Sequence, residues 1–232
     1  MRQPVFISPG LAEILGALTG DRGAFKETQR PPAVTTSYIP KAGLYVTKVC
    51  VGLDREWGHR LSNLVFQDCS HRGSVYWDKN EWRFEARSQE LYKHLHQFYR
   101  PEWRARTWRI SPLLFTFSVE IRRSFIRGYF DADGYPYFSK ARNHVYIQVN
   151  SVNYHGLADG RRLLESLGFH PGLYRRYKAR DVWELTIHRK FELIKFHNEI
   201  GFSLSRKQSD LMKMLVRRWP HDFGSRNSEG RI

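Results

Sequence analysis

The stretch FIRGYFDADG, at Phe125–Gly134, has a partner in LAEILGALTGD at Leu11–Asp21. Each stretch predicts a helix that carries small residues four positions apart and ends on a carboxylate. Gly16 and Gly128 hold the same place in the two copies. Because small residues let two helix backbones approach closely, we expect the two helices to pack against each other.

The carboxylates that end the two copies, Asp21 and Asp133, also hold equivalent places. Helices that pack side by side bring these two acids together near a pseudo-twofold axis. The repeat therefore predicts a paired-carboxylate site. Ser8 is the predicted N-cap of the first helix, and Pro9 is its predicted first residue.

Similar elements follow both helices, so the predicted fold class is α+β, with two pseudo-symmetric αββαββα halves. The first half predicts strands at 24–29 and 44–51, a helix at 55–67, a hairpin at 74–77 and 82–87, and a helix at 89–99. The second half predicts strands at 135–140 and 144–150, a helix at 152–167, a hairpin at 173–178 and 182–188, and helices at 190–199 and 206–217. The predicted boundaries are 8–100 for the first half, 101–117 for a basic linker, 118–217 for the second half and 218–232 for a flexible tail.

The charge of the chain favours a polyanionic partner. Its 232 residues include 38 Lys and Arg against 23 Asp and Glu, a formal net charge of +15. Basic residues alternate with aromatic and amide residues in RNHVYIQVN at 142–150 and in YRRYKAR at 174–180. This pattern favours nucleic-acid binding, although a solvated basic surface is the alternative for each stretch.

Other classes of protein fit the composition poorly. No stretch approaches the roughly 20 apolar residues that a membrane helix needs, and the N-terminus lacks a signal-peptide pattern. Two cysteines make no disulfide framework. We therefore expect an intracellular protein, cytoplasmic in a prokaryote or organellar, that is neither secreted nor bound to a membrane.

FIRGYFDADG closely resembles the motif that names the LAGLIDADG homing endonucleases, and LAEILGALTGD resembles its partner copy. The resemblance extends over residues 8–217 and includes the two-copy layout of the single-chain members. One departure is Arg22, which stands where the family usually has glycine after the acid. The resemblance implies a monomer with its motif helices at the interface and two antiparallel sheets that form a saddle along the DNA major groove.

The resemblance also implies a metal site. The acids that end the motifs, Asp21 and Asp133, would bind Mg²⁺ with the backbone carbonyls of Gly20 and Ala132, and Mn²⁺ or Ca²⁺ could occupy the same sites. Asp131 has Thr19 as its counterpart in the first copy. It is therefore interpreted as a hydrogen-bonding group at the helix end and not as a symmetric metal ligand.

A basic side chain near each active site is a further family feature. The segment SLSRKQSDL at 203–211 resembles the part of the family that carries it, which makes Lys207 the candidate before Arg206. The first half offers no matching lysine, and Arg104 or Arg109 is the candidate substitute there.

The strands predicted to contact double-stranded DNA are those at 44–51, 74–87, 137–150 and 174–188. Within the third, Val145, Ile147 and Val149 belong to a core face, so the side chains between them should face the groove. The candidate DNA-binding residues are Thr47, Lys48, Arg83, Arg142, Tyr146, Gln148, Asn150, Arg175, Arg176, Lys178 and Arg180.

The sequence offers two alternative metal sites, and both lack part of the pattern that such sites need. A calcium loop that starts at Asp131 needs a glutamate where Arg142 stands. Cys50, His59, Cys69 and His71 could bind zinc, but they lack the paired spacing of structural zinc sites.

The leading functional hypothesis is a free-standing, intron-encoded endonuclease. It would make metal-dependent double-strand cuts with short 3′ overhangs in a long DNA target. The alternative is an RNA maturase of the same fold, which would bind intron RNA. A non-catalytic DNA-binding regulator is a third class, and the retention of both acids argues against it.

Overall fold

The structure is a computed structural model that describes residues 6–20, 35–39, 44–99, 105–139, 141, 143–177 and 181–223. The side chains of residues 35–39, 44 and 177 are outside the description. The first half contains α1 Pro9–Gly20, β1 Thr35–Ile39, β2 Leu44–Gly52, α2 Arg55–Cys69, β3 Ser74–Asp78, β4 Glu81–Ala86 and α3 Gln89–His96. The second half contains α4 Val119–Asp133, β5 Tyr135–Ser139, β6 His144–Ser151, α5 Tyr154–Glu165, β7 Gly172–Tyr177, β8 Val182–Ile187, α6 Lys190–Lys195, a π-helical turn Phe196–Ile200, α7 Ser205–Arg218 and α8 Pro220–Phe223.

Each half builds one antiparallel sheet of four strands. The strand orders are β1-β2-β4-β3 and β5-β6-β8-β7, so the two sheets have the same topology. This confirms the predicted α+β class with two related halves. The strand predicted at 24–29 lies outside the described residues, and the first strand that the structure describes begins at Thr35.

Strand alternation places the core as predicted. Val145, Ile147 and Val149 on β6 are buried, as are Val49 and Val51 on β2. These side chains lie on one face of each sheet, because successive side chains of a strand point to opposite faces. The opposite face of each sheet carries the polar and charged side chains described below.

The two motif helices, α1 and α4, pack against each other at their glycines. A Cβ atom on Gly16 would overlap the carbonyl oxygen of Phe125 and lie 2.8 Å from the amide nitrogen of Tyr129. A Cβ atom on Gly128 would overlap the carbonyl oxygen of Glu13. The close approach of the two backbones that the repeat predicted is confirmed.

The start of α1 also matches its prediction. Ser8 Oγ accepts a hydrogen bond from the amide of Leu11 at 3.0 Å, and Pro9 is the first helical residue. No helix among the described residues is long and apolar enough to cross a membrane.

The symmetry of the halves ends after the helix that follows each sheet, α3 in the first half and α6 in the second. The second half continues from α6 into α7, whose first turn contacts the first half. Ser205 Oγ donates to Glu56 at 2.6 Å, and Arg206 pairs with Asp54 at 3.1 Å. Between α3 and α4, the described residues form a 3₁₀ helix, Pro112–Thr116. The segment predicted as a flexible tail begins with the short helix α8.

Candidate catalytic site and DNA interface

The C-terminal ends of the two motif helices meet at Gly20 and Ala132. A Cβ atom on Gly20 would lie 2.6 Å from the Cβ of Ala132 and 2.8 Å from the carbonyl oxygen of Tyr129. Asp133, the last residue of α4, follows this contact directly and is partly exposed. The chain leaves α1 toward Asp21 at the same point. Asp21 lies outside the described residues, so its pairing with Asp133 stays a prediction.

Asp131 acts as a hydrogen-bonding group at the end of α4. Its carboxylate is 1% exposed and accepts bonds from the amides of Ser203 at 3.1 Å and Leu204 at 3.3 Å, as well as from the Ser203 hydroxyl. Burial raises the pKa of Asp131 to about 6, although these hydrogen bonds and the charge of Lys207 oppose the rise. The predicted role is confirmed. A carboxylate enclosed in this way is not available to a metal ion at the surface.

Lys207 binds the same helix end, as part of the first turns of α7. Its Nζ donates to the carbonyl oxygens of Asp131 at 2.5 Å, Gly134 at 2.6 Å and Phe130 at 3.2 Å. An ammonium group has three donors, so all three are used. Burial lowers the pKa of Lys207 to about 8, and the nearby aspartates, Asp131 first, partly offset that effect. A cation at a helix C-terminus stabilises the end of the helix dipole.

The preference for Lys207 over Arg206 agrees with this geometry. The Arg206 side chain is 60% exposed and pairs with Asp54 of the first half. Lys207, by contrast, is 7% exposed and lies against the residues that surround Asp133.

The structure does not place Arg109, the candidate basic residue for the first half, at that half's site. Arg109 pairs with the buried Asp159 of α5, with Nε at 2.6 Å and Nη2 at 3.0 Å from its oxygens. Asp159 also accepts from Arg162 and from the amide of Ile110. Arg109 therefore belongs to an ion-pair cluster of the second half, and Arg104 lies outside the described residues.

The residues at the helix ends offer the ligands that a hard cation prefers. The predicted ligands, the Asp133 carboxylate and the backbone carbonyls of Ala132 and Gly20, are oxygen groups of the kind that Mg²⁺, Mn²⁺ and Ca²⁺ prefer. Within the described part of the chain, no three His, Cys, Asp or Glu side chains converge on one point. The predicted site has one carboxylate from each half and backbone carbonyls. It contains no group of three such side chains, so this finding does not test it.

The zinc alternative is wrong. Cys50, His59, Cys69 and His71 are all described residues, and they form no metal-binding group. The Cys50 thiol donates to Glu81 Oε2 at 2.9 Å, and Cys69 is buried. Burial raises the pKa of the Cys69 thiol to about 11.

On the first sheet, the outer face pairs its cations with carboxylates. Lys48 lies 2.7 Å from Glu85, and Arg83 lies 2.7 Å from Glu81 and 3.3 Å from Asp78. Burial alone would raise the pKa of Glu85, but hydrogen bonds, the first of them from Lys48, lower it to about 2. Lys48 and Arg83 thus lie on the predicted face, each already bound to an acid.

Thr47 does not lie on that face. It shares the core side of β2 with Val49 and is 0% exposed, so its predicted place in the DNA groove is wrong. The signal was present in the sequence, because Thr47 stands two residues before Val49 and strand side chains alternate.

On the second sheet, the outer face carries a polar network at Tyr135. Tyr146 is partly exposed beside Tyr137, with ring centroids 4.9 Å apart, and Asn150 is partly exposed. Gln148 has the predicted orientation but is only 2% exposed, because it donates to the Tyr135 hydroxyl of the adjacent strand. The open groove-facing position predicted for Gln148 is therefore wrong.

The basic residues of β7 divide between two sites. Arg175 pairs with Asp181 at 3.3 Å beside the hairpin tip, and Arg176 lies 3.6 Å from Glu184 on the outer face. Arg142, Lys178 and Arg180 lie outside the described residues. Sequence reasoning missed Tyr135. Its place directly after the motif FIRGYFDADG was a usable signal, whereas its pairing with Gln148 is visible only in the sheet.

Comparison with known proteins finds similarity to one family of domains. Residues 120–201 match the family model described as a LAGLIDADG-like domain. The chain is 25% identical over 227 residues to an uncharacterized protein of Methanocaldococcus jannaschii, which covers 90% of this chain and 72% of that protein. It is 33% identical over 112 residues to a probable translation initiation factor IF-2 of Thermococcus kodakarensis, which covers 48% of this chain but 9% of that protein.

Solved structures share the fold. I-DmoI in complex with DNA and Ca has a TM-score of 0.58 at 16% identity, over 88% of this chain and 98% of that one. Full-length DUF199/WhiA from Thermatoga maritima has a TM-score of 0.50 at 21% identity, over 93% of this chain and 63% of that one. The resemblance to the LAGLIDADG family is confirmed at the level of the fold: the chain has the LAGLIDADG fold, and residues 120–201 match the LAGLIDADG-like domain model.

Proposed function

We propose that this LAGLIDADG-fold chain is a site-specific homing endonuclease that acts as a monomer on double-stranded DNA. It would use Mg²⁺ to cut both strands of a long target and leave short 3′ overhangs. The observation that carries the proposal is the meeting of the two motif-helix ends at Gly20 and Ala132. In the sequence, an acid follows each of these residues directly, Asp21 in the first half and Asp133 in the second.

The charge of the chain and its neighbours support a DNA substrate. A formal net charge of +15 favours the phosphate backbone, because much of DNA affinity comes from neutralised phosphates. I-DmoI, a homing endonuclease, has been solved with DNA and Mn, Ca or Mg. WhiA has a similar fold as well, so the proposal depends on the residues at the helix ends and not on the fold alone.

The residues of the chain divide the work of phosphodiester hydrolysis. Asp133, with Asp21 as its counterpart, would hold the metal beside the scissile phosphate. A bound divalent metal supplies charge neutralisation and a more acidic water. Lys207 fixes the carbonyls of the α4 end, and its positive charge offsets the negative charge that develops nearby. The outer faces of the sheets would bind the flanking duplex.

An RNA maturase of the same fold is the alternative. One digestion separates the two functions: the purified chain is incubated with a plasmid library of random inserts, in Mg²⁺ or in EDTA. We expect linear products in Mg²⁺ alone, and sequencing of their ends should give one long site with short 3′ overhangs. Intact plasmid in Mg²⁺, together with binding to structured RNA, would favour the maturase and overturn the nuclease proposal.

Lys207→Met is expected to slow one strand more than the other. The described residues of the first half contain no second lysine like Lys207, so its loss should affect the second-half site. We expect a rate loss of about a hundredfold on that strand, in line with the loss of a catalytic electrostatic group. Nicked plasmid should then accumulate, which strand-specific end labels would detect in single-turnover digests.

Lys213→Met is the matched control, because Lys213 is an exposed residue of the same helix. Removal of Lys207 takes a donor from the carbonyls of Asp131 and Gly134, whereas Phe130 O keeps the amide of Gly134. The cost is about 1–3 kcal/mol per unsatisfied group. The digests should therefore be run well below the melting temperature of each variant. Equal slowing of both strands by Lys207→Met would contradict its assignment to one site.

A further inference from the structure

The hydroxyl of Tyr135 is the centre of the polar network on the outer face of the second sheet. It accepts hydrogen bonds from Gln148 Nε2, from Asn150 Nδ2 at 3.0 Å and from Arg176 Nη1 at 3.4 Å. These residues come from strands β6 and β7, on either side of β8 in the sheet. One oxygen thus gathers a buried glutamine and two more exposed side chains, Asn150 and Arg176, on the outer face.

The hydroxyl cannot serve all three donors fully. A phenolic oxygen has two lone pairs, so it accepts two strong hydrogen bonds. The bond from Arg176, at 3.4 Å, is longer than the bond from Asn150, at 3.0 Å. Arg176 is also exposed and lies only 3.6 Å from Glu184. Arg176 is therefore the donor that a phosphate or a guanine edge would draw away most easily.

Asn150 is held by Tyr135 with its amide oxygen turned inward. Its Oδ1 is buried and accepts no hydrogen bond within the described part of the chain, and one of its two Nδ2 hydrogens is bonded to Tyr135. The second Nδ2 hydrogen can donate to an acceptor on a base edge. The bond from Nδ2 to Tyr135 fixes which way the amide faces, so Asn150 offers the groove a donor and not an acceptor.

Tyr135 is also joined to the catalytic end of α4. It follows Gly134, whose amide donates to Phe130 O at 2.9 Å and whose carbonyl accepts from Lys207 at 2.6 Å. Asp133 stands two residues before Tyr135, at most about 7 Å away along the chain. The base pairs controlled by this hydroxyl are therefore those beside the cut, and not those at the ends of the target.

We propose that Tyr135 is a positioning residue for sequence specificity. Its hydroxyl orients Asn150 and releases Arg176 to the base pairs next to the scissile phosphate. The inference rests on the proposed function, because it assumes that the outer face of the second sheet binds double-stranded DNA.

Tyr135→Phe tests the proposal, because it removes the hydroxyl and keeps the ring. Binding is measured in EDTA, where no cleavage occurs, with a random duplex library and then with all single-base variants of the duplex that the wild type selects. We expect discrimination to fall about tenfold or more at one to three base pairs beside the cut, as for the loss of a bidentate base contact. Discrimination at all other positions should stay as in the wild type.

Tyr154→Phe is the matched control. Tyr154 is the first residue of α5, on the helix-covered side of the second sheet, is 42% exposed and contacts Trp183 through its ring. Its profile should equal that of the wild type. Asn150→Ala should lose discrimination at one of the same base pairs, and adding it to Tyr135→Phe should cause little further loss there.

The outcomes separate the two proposals. A wild-type chain that selects no duplex would overturn the proposed function itself. A wild type that selects a duplex, with the same profile in Tyr135→Phe, would overturn the role of Tyr135. So would a uniform loss of affinity for all duplexes, because a purely structural role would weaken binding without changing base preference.

Discussion

Asp133→Asn is expected to abolish double-strand cleavage while DNA affinity stays within about twofold. The substitution removes the charge that would hold a divalent cation at the end of α4 and keeps the shape of the side chain. Loss of metal-ion catalysis removes several kcal/mol of transition-state stabilisation. At 1.4 kcal/mol per tenfold, that is about a thousandfold or more in rate. The contacts of the sheets with phosphates, which supply much of the affinity, are unchanged.

The measurement is a single-turnover digest of the selected duplex in Mg²⁺, with binding measured in EDTA. Asp210→Asn is the control, because Asp210 is a partly exposed acid of α7. It should cleave like the wild type. Full cleavage by Asp133→Asn would refute its role as a metal ligand, and a parallel loss of affinity would show a binding defect instead.

The framework of the fold could be predicted because its signals are local. The apolar spacing of α1 indicates a helix, which is buried on all sides from Leu11 to Gly20, and the alternation of β6 determines which of its faces is buried. The strands follow the helices in the same order in both halves. The close packing of the two motif helices at Gly16 and Gly128 could be predicted as well, because small residues repeated on a helix face allow close approach of a second helix. These features depend on neighbours within one element or on the repeat itself.

At the candidate site, the sequence indicates candidate residues but not the partners that they contact. The lysine at 207 was placed at the active site from its motif, yet its three carbonyl partners lie more than 70 residues away along the chain. Likewise, Arg109 pairs with Asp159 across 50 residues. These long-range hydrogen bonds and ion pairs depend on which elements meet in space, and residue type alone does not specify them.

The error at Gln148 has a different cause. Strand alternation correctly placed Gln148 on the outer face of the sheet. The alternation of one strand does not show that a side chain of the neighbouring strand covers Gln148. Tyr135 lies directly opposite Gln148 in the register of β5 and β6, and that register becomes visible only in the sheet. Burial on an outer face is thus a property of the strand pair, and the sequence of one strand does not contain it.

Gly128→Ala is expected to destabilise the fold by about 3 kcal/mol, and Gly128→Leu to prevent folding. The new Cβ atom would overlap the carbonyl oxygen of Glu13, which is backbone of α1 and cannot rotate away. Overpacking of a well-packed core typically costs about 1–3 kcal/mol, and a clash with backbone belongs at the upper end. A loss of this size should lower the melting temperature of Gly128→Ala by about 6–12 °C.

Gly160→Ala is the matched control for Gly128→Ala, since Gly160 is also a buried helical glycine. Its added Cβ would approach no atom closer than 3.4 Å, to Leu185 Cδ2, which is ordinary van der Waals contact. Because alanine is favoured over glycine in a helix by about 1 kcal/mol, Gly160→Ala should melt at or slightly above the wild-type temperature. The two variants add the same methyl group to a helix, so their difference isolates the contact between α1 and α4. Equal melting temperatures, measured by circular dichroism, would mean that the motif helices are farther apart than the structure gives, and the approach of Gly20 to Ala132 would then lose its support.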